Sequence, residues 1–161
     1  MSSFSGTYTA KVDKGRCFFP AQFRKKLGEG DVAHLKMRIT ENDAQYIEIY
    51  EENDWEERVA KMKQIIESDE KKTIYEKEDY VTEYTSAAED ITIELKSETN
   101  SPNVGRMLIP KTMIDKLHIK NEVVFMGTVG MIRLWAKESY DNRLTKDLKA
   151  MIIEQTKNKK E

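Results

Sequence analysis

Residues 15–27, GRCFFPAQFRKKL, return as residues 105–117, GRMLIPKTMIDKL. Five of the thirteen positions are identical (Gly, Arg, Pro, Lys and Leu), and four more are apolar in both copies: Cys17/Met107, Phe18/Leu108, Phe19/Ile109 and Phe23/Met113. Internal repetition at this level fixes the architecture before any single element is considered. Both copies share one physical grammar. Gly15 or Gly105 permits a tight turn or bulge. A short apolar run follows, suited to a buried strand. Pro20 or Pro110 ends that strand and fits the start of a helix. Phe23 and Leu27, like Met113 and Leu117, lie four apart and share a helical face. Gly28 is placed to close the first helix; the second copy has His118 there, a weaker stop.

The match continues downstream after a gap of five residues. Tyr46–Tyr50 pairs with Met131–Trp135, Trp55 with Tyr140, and Arg58 with Arg143. Between the blocks the pattern predicts paired strands, Val32–Ile39 with Gln45–Tyr50 and Glu122–Gly127 with Met131–Trp135; Gly127-Thr-Val-Gly130 supports a hairpin in the second pair. A helix is expected after each pair. In the first, Asp54 and Glu57 have the spacing of a capping box, and Trp55, Val59, Met62 and Ile66 form one apolar stripe. In the second, Tyr140, Leu144, Leu148 and Ile152 repeat the idea. Such stripes are core or subunit contacts far more often than cofactor sites. Residues 73–88 read as a further helix, and Ile91, Ile93 and Leu95 alternate as a strand opening the second copy. The chain therefore divides into residues 1–70, a first module with its helix; 71–90, a connecting helix; and 91–161, a second module with a C-terminal helix. Lys157–Glu161 reads as a frayed end.

The 161 residues suffice to build a core without disulfide or metal. The single cysteine, Cys17, excludes an internal disulfide and fits a reducing compartment. The first ten residues lack a signal-peptide pattern, and no apolar run reaches the length of a membrane helix. These features point to a soluble cytoplasmic protein with no membrane partner. A net charge of −2 conceals strong segregation: residues 1–38 carry +5, residues 39–100 carry −12, and residues 101–161 carry +5. A neutral total thus permits a local cationic surface, although acidic helices are also ordinary solvated faces.

Lys14-Gly15-Arg16, Phe18-Phe19-Pro20, Phe23–Leu27 and Trp55, together with Gly105–Pro110, Leu117 and Ile132–Trp135, resemble the MraZ family of bacterial transcription regulators. More broadly they resemble the swapped-hairpin β-barrel of AbrB-like DNA-binding proteins. The resemblance spans nearly the whole chain. It implies an α+β fold of duplicated AbrB/MraZ-like β-barrel modules related by a pseudo-twofold, each followed by helices. It further implies a ring-like homo-oligomer that is nucleoid-associated and binds double-stranded DNA at short promoter repeats of the division and cell-wall gene cluster. The family's Asp, three residues before each Gly, is Val12 and Pro102 here; Asp13 stands one residue later, as in a shortened turn, and the segment Lys96–Val104 is longer than the family's.

Arg16 and Arg106 are the leading DNA-binding candidates. Each follows a turn glycine, and a guanidinium can bond guanine O6 and N7 together or grip phosphate. Lys11 and Lys14 flank Arg16 as phosphate contacts. The competing reading pairs Arg16 with a carboxylate such as Asp13. Arg24, Lys25 and Lys26 read equally as a solvated helix face, as do Lys111, Lys116 and Lys120. Cys17 stands where Met107 stands, which points to packing rather than nucleophilic chemistry. His34 and His118 are not equivalent and sit in no metal-ligand spacing. No phosphate-cradling glycine loop or nucleophile motif occurs, so neither cofactor nor catalysis is expected. The alternative function is a ring-forming interaction protein of the same fold that no longer binds DNA.

Overall fold

Pro20 and Pro110 turn the two copies from strand to helix at nearly the same dihedral angles, φ −56°, ψ 135° and φ −55°, ψ 138°. The computed structural model describes residues 2–40 and 45–159, without the side chains of residues 144–150, 152, 158 and 159. Its elements run β1 (Thr7–Lys11), β2 (Arg16–Phe18), α1 (Ala21–Arg24), β3 (Val32–Ile39), β4 (Ile47–Glu51), α2 (Glu52–Glu67), α3 (Ile74–Ser86), β5 (Glu89–Glu94), β6 (Arg106–Leu108), α4 (Lys111–Leu117), β7 (Glu122–Gly127), β8 (Ile132–Ala136) and α5 (Lys137–Lys159). The fold is α+β, built from duplicated β-barrel modules as the repeat requires. The C-terminal stripe of Leu144, Leu148 and Ile152 lies outside the described side chains.

Six strands form one antiparallel sheet in the order β1-β7-β8-β4-β3-β5, and β2 pairs with β6 in a separate two-stranded ribbon. The two halves exchange strands reciprocally. β1 of the first half pairs with β7 of the second, and β5 of the second pairs with β3 of the first. The pseudo-twofold runs through the ribbon. Cys17 faces Met107, its own counterpart, while Arg16 faces Leu108 and Phe18 faces Arg106. Two further hydrogen bonds obey the same symmetry: Phe19 N donates to Gly105 O, and Ile109 N donates to Gly15 O, each at 2.7 Å.

One inner core serves both halves. Leu35, Met37, Ile47, Ile49, Ile93, Val123, Phe125, Ile132 and Leu134 line the sheet's inner face and meet Cys17, Met107, Phe19, Ile109, Phe23 and Met113 from the ribbon and short helices. The hairpins differ in one respect. Leu35 pairs with Glu51, whereas Val123 pairs with Ala136, a two-residue slip relative to the sequence repeat. An even slip leaves every side chain on its original face, so the core survives it.

The sheet's outer face carries charge. Register places Glu48 between Arg38 and Arg133, and Arg38 and Glu48 are only 4% and 3% exposed. Tyr50 Oη donates to Glu48 Oε2, and Arg38 lies over the Tyr84 ring at 3.9 Å. α2 and α3 cover this side through Trp55 and Tyr84, which stack at 5.7 Å.

Two local expectations need correction. Asp54 does not cap α2. The helix begins at Glu52, and the buried Asp54 carboxylate instead accepts the Ser2 amide at 3.1 and 3.3 Å. The capping box forms at Thr73 and Glu76, which open α3. His118, expected to be a weak stop, closes α4 in the left-handed region at φ 54°.

Candidate nucleic-acid interface

The ribbon alternates strictly: Cys17 and Met107 point inward, while Arg16, Phe18, Arg106 and Leu108 point to solvent. Phe18 and Leu108 are 54% and 58% exposed, so the apolar runs read as wholly buried strands have one outward member each. Two-residue periodicity, applied to runs this short, was the signal available. The outer face is therefore a checkerboard. Arg16 stands opposite Leu108 and Phe18 opposite Arg106, so two cations occupy one diagonal and two apolar groups the other.

The turns that launch the two strands differ. Asp13 and Arg16 exchange backbone bonds of 2.9 Å in both directions. Between them Lys14 and Gly15 both have positive φ, 51° and 78°. Positive φ at both central residues defines a two-residue type I′ hairpin turn. Lys14 is thereby held exposed at the tip. The Arg16 side chain makes no hydrogen bond or ion pair among the described residues; the suggested partner, Asp13, is bound to it through backbone alone.

In the second half Arg106 N donates to Asn103 O at 3.0 Å, and Gly105 has φ 80°, matching Gly15. Val104 stands where Lys14 stands in the first copy. The Arg106 Nη1 donates to Asn103 Oδ1 at 3.1 Å, a contact the sequence reading missed. The structure thus brings Lys14, Arg16 and Arg106 onto one ribbon and its tips. Lys11 stays outside it, on the outer face of β1 in register with Glu122.

The remaining cations divide. Lys25 is exposed, and Lys26 Nζ donates to Ser3 O at 3.0 Å. Arg24 leans across the second turn, where a Cβ built on Gly105 would stand 2.5 Å from its Nη1. Lys120 pairs with Glu138 at 3.5 Å.

Cys17 is 2% exposed, and burial pushes its thiol from 9.0 up to about 12, which leaves no thiolate near neutrality. Among the described residues no group of three His, Cys, Asp or Glu side chains is arranged to hold a metal. Among the described residues no helix is long and apolar enough to cross a membrane.

Comparison with known proteins gives a consistent result. A family model described as "MraZ protein, putative antitoxin-like" matches residues 3–77. The chain is 32% identical over 139 residues to a protein of Bacteroides fragilis named transcriptional regulator MraZ, covering 86% of this chain and 80% of that one. Proteins of the same name from Christiangramia forsetii and Ureaplasma parvum are 26% and 28% identical, covering 89% and 86% of this chain and 84% and 85% of theirs.

Proposed function

Since this chain belongs to the MraZ family, we propose that it regulates transcription by binding double-stranded DNA through the outer face of the β2–β6 ribbon. The observation that carries the reading is the pair of exposed arginines, Arg16 and Arg106, related by the pseudo-twofold on one two-stranded ribbon. A two-stranded β-ribbon fits the major groove of B-DNA. There Arg16 and Arg106 would read guanine edges, and Phe18 and Leu108 would meet thymine methyls. Lys14 at the turn tip would hold phosphate, with Lys11 a more distant phosphate contact. The targets in this reading are short promoter repeats, including those of the division and cell-wall cluster, and the protein acts in the cytoplasm on the nucleoid as a ring-like homo-oligomer larger than a dimer.

One feature favours a second reading. Phe18 and Leu108 expose apolar surface on that same face, as a protein-docking surface would. In that case the ribbon holds another protein and not DNA. Fluorescence anisotropy with a duplex from the promoter of the protein's own gene, and with a scrambled duplex, separates the two. Salt-dependent binding that prefers the promoter supports the regulator. No binding to either duplex at low salt rejects it in favour of the interaction protein. Light scattering at micromolar concentration tests the assembly, which a monomeric mass would refute.

A further inference from the structure

The two ends of the ribbon receive their second cation by different routes. At the first turn it is Lys14, within the turn itself. The matching position in the second turn is Val104, which carries no charge. What lies against that turn is Arg24, from α1 of the first half. A Cβ on Gly105 would sit 2.5 Å from Arg24 Nη1, 2.8 Å from Cζ and 3.0 Å from Cδ, so the guanidinium rests on the glycine backbone.

We propose that Arg24 is a phosphate-binding residue of the DNA surface, acting at the second turn beside Arg106. The proposal rests on the DNA-binding reading above. Symmetry provides the internal control. The counterpart of Arg24 is Ile114, and its Cδ1 would lie 3.2 Å from a Cβ on Gly15. An aliphatic side chain is enough to fill that place at the first turn. At the second turn the same place holds a charged group. Its Nε is buried with no acceptor, and the side chain makes no hydrogen bond or ion pair among the described residues. The terminal nitrogens, unlike Nε, are not fully buried, so they are the atoms a phosphate would meet. The planar guanidinium fork matches two phosphate oxygens, and DNA brought to Arg106 supplies them. Asn103 holds Arg106 at 3.1 Å on the same turn. Each end of the ribbon then pairs one strand-leading arginine with one backbone-gripping cation: Arg16 with Lys14, and Arg106 with Arg24.

The test uses the full chain with the own-promoter and scrambled duplexes, titrated at two salt concentrations. Arg24→Met keeps the aliphatic stem, and its melting temperature reports whether packing is intact. Binding of both duplexes should weaken by about tenfold to a similar extent. The slope of log K against log salt should fall by about one unit, the share of one phosphate contact. Arg24→Lys should restore that slope. A wild-type slope in Arg24→Met overturns the proposal. So does a loss of affinity that Arg24→Lys leaves unrepaired at unchanged slope, which marks a packing role. Should Arg24→Met fail to fold, the Nε–H NMR resonance of Arg24 in the wild type decides: a shift on adding duplex supports the contact, and an unmoved resonance overturns it. Wild-type protein that binds neither duplex fails the regulator reading itself, and this proposal falls with it. Wild-type binding with an indifferent Arg24 removes only the proposal.

Discussion

Arg16 carries a full charge on the solvent side of a three-residue strand and spends none of it inside the chain. Replacing it by alanine should leave the melting temperature nearly unchanged. Anisotropy should show the gap between own-promoter and scrambled duplex narrowing by about 1–3 kcal/mol, the worth of one bidentate base contact. A variant that keeps the wild-type gap removes Arg16 from base readout. Glu48 presents the opposite case. It is buried between Arg38 and Arg133 and accepts the Tyr50 hydroxyl. Glu48→Ala leaves the Tyr50 hydroxyl without its acceptor on a covered face, so urea unfolding should show a loss of about 1–3 kcal/mol. Cys17 makes a pH prediction. Its thiol is raised from 9.0 to about 12 by burial. A raised folded-state value means that the stabilisation is complete below about pH 9 and is lost as pH climbs toward 12. The melting temperature of the wild type should fall across that window, and Cys17→Val should flatten part of the decline. Below pH 9 a thiol reagent should label the protein only after denaturant is added.

At the scale of the element, the first turn sets shape against charge. Lys14 adopts φ 51°, a conformation that costs a residue with a Cβ about 1 kcal/mol and that Asn tolerates well before Gly. Lys14→Asn should therefore raise the melting temperature while lowering the salt slope of DNA binding by about one unit. An unchanged slope would show that Lys14 contacts no phosphate. The turn also marks how much was legible in the residues. Gly15, Gly105 and the two prolines state their backbone requirements locally, so the repeat, the short strands and the helix starts could be read directly. Asp54 could not. Its spacing to Glu57 matches that of Thr73 to Glu76, yet only the second pair forms a capping box. Ser2, distant in sequence, takes the Asp54 carboxylate, and no local window contains that partner. β1 escaped notice because Thr7–Lys11 is polar on its outer face and acquires its strand character by pairing with β7. Arg106 was legible as a candidate through its glycine, but Asn103 was not, since its role depends on how the longer loop folds back.

Across the whole molecule, the reciprocal exchange makes each half incomplete. Residues 1–70 alone would leave β1 without β7 and β3 without β5, and would open the shared core along Cys17 and Phe19. Expressed separately, that fragment should show no cooperative unfolding transition; mixing it with residues 71–161 should restore one. A fragment that melts sharply on its own would refute the interdependence. The same exchange governs how the chain is made. Thr7 finds its register partner in Met126, so β1, once made, waits for a strand far downstream. Closing so distant a contact is slow, and during the wait the edges of β1 and β4 stay open to strands of neighbouring chains. Translation speed and chaperone supply, not equilibrium stability, should then set how much of the newly made protein reaches its working form.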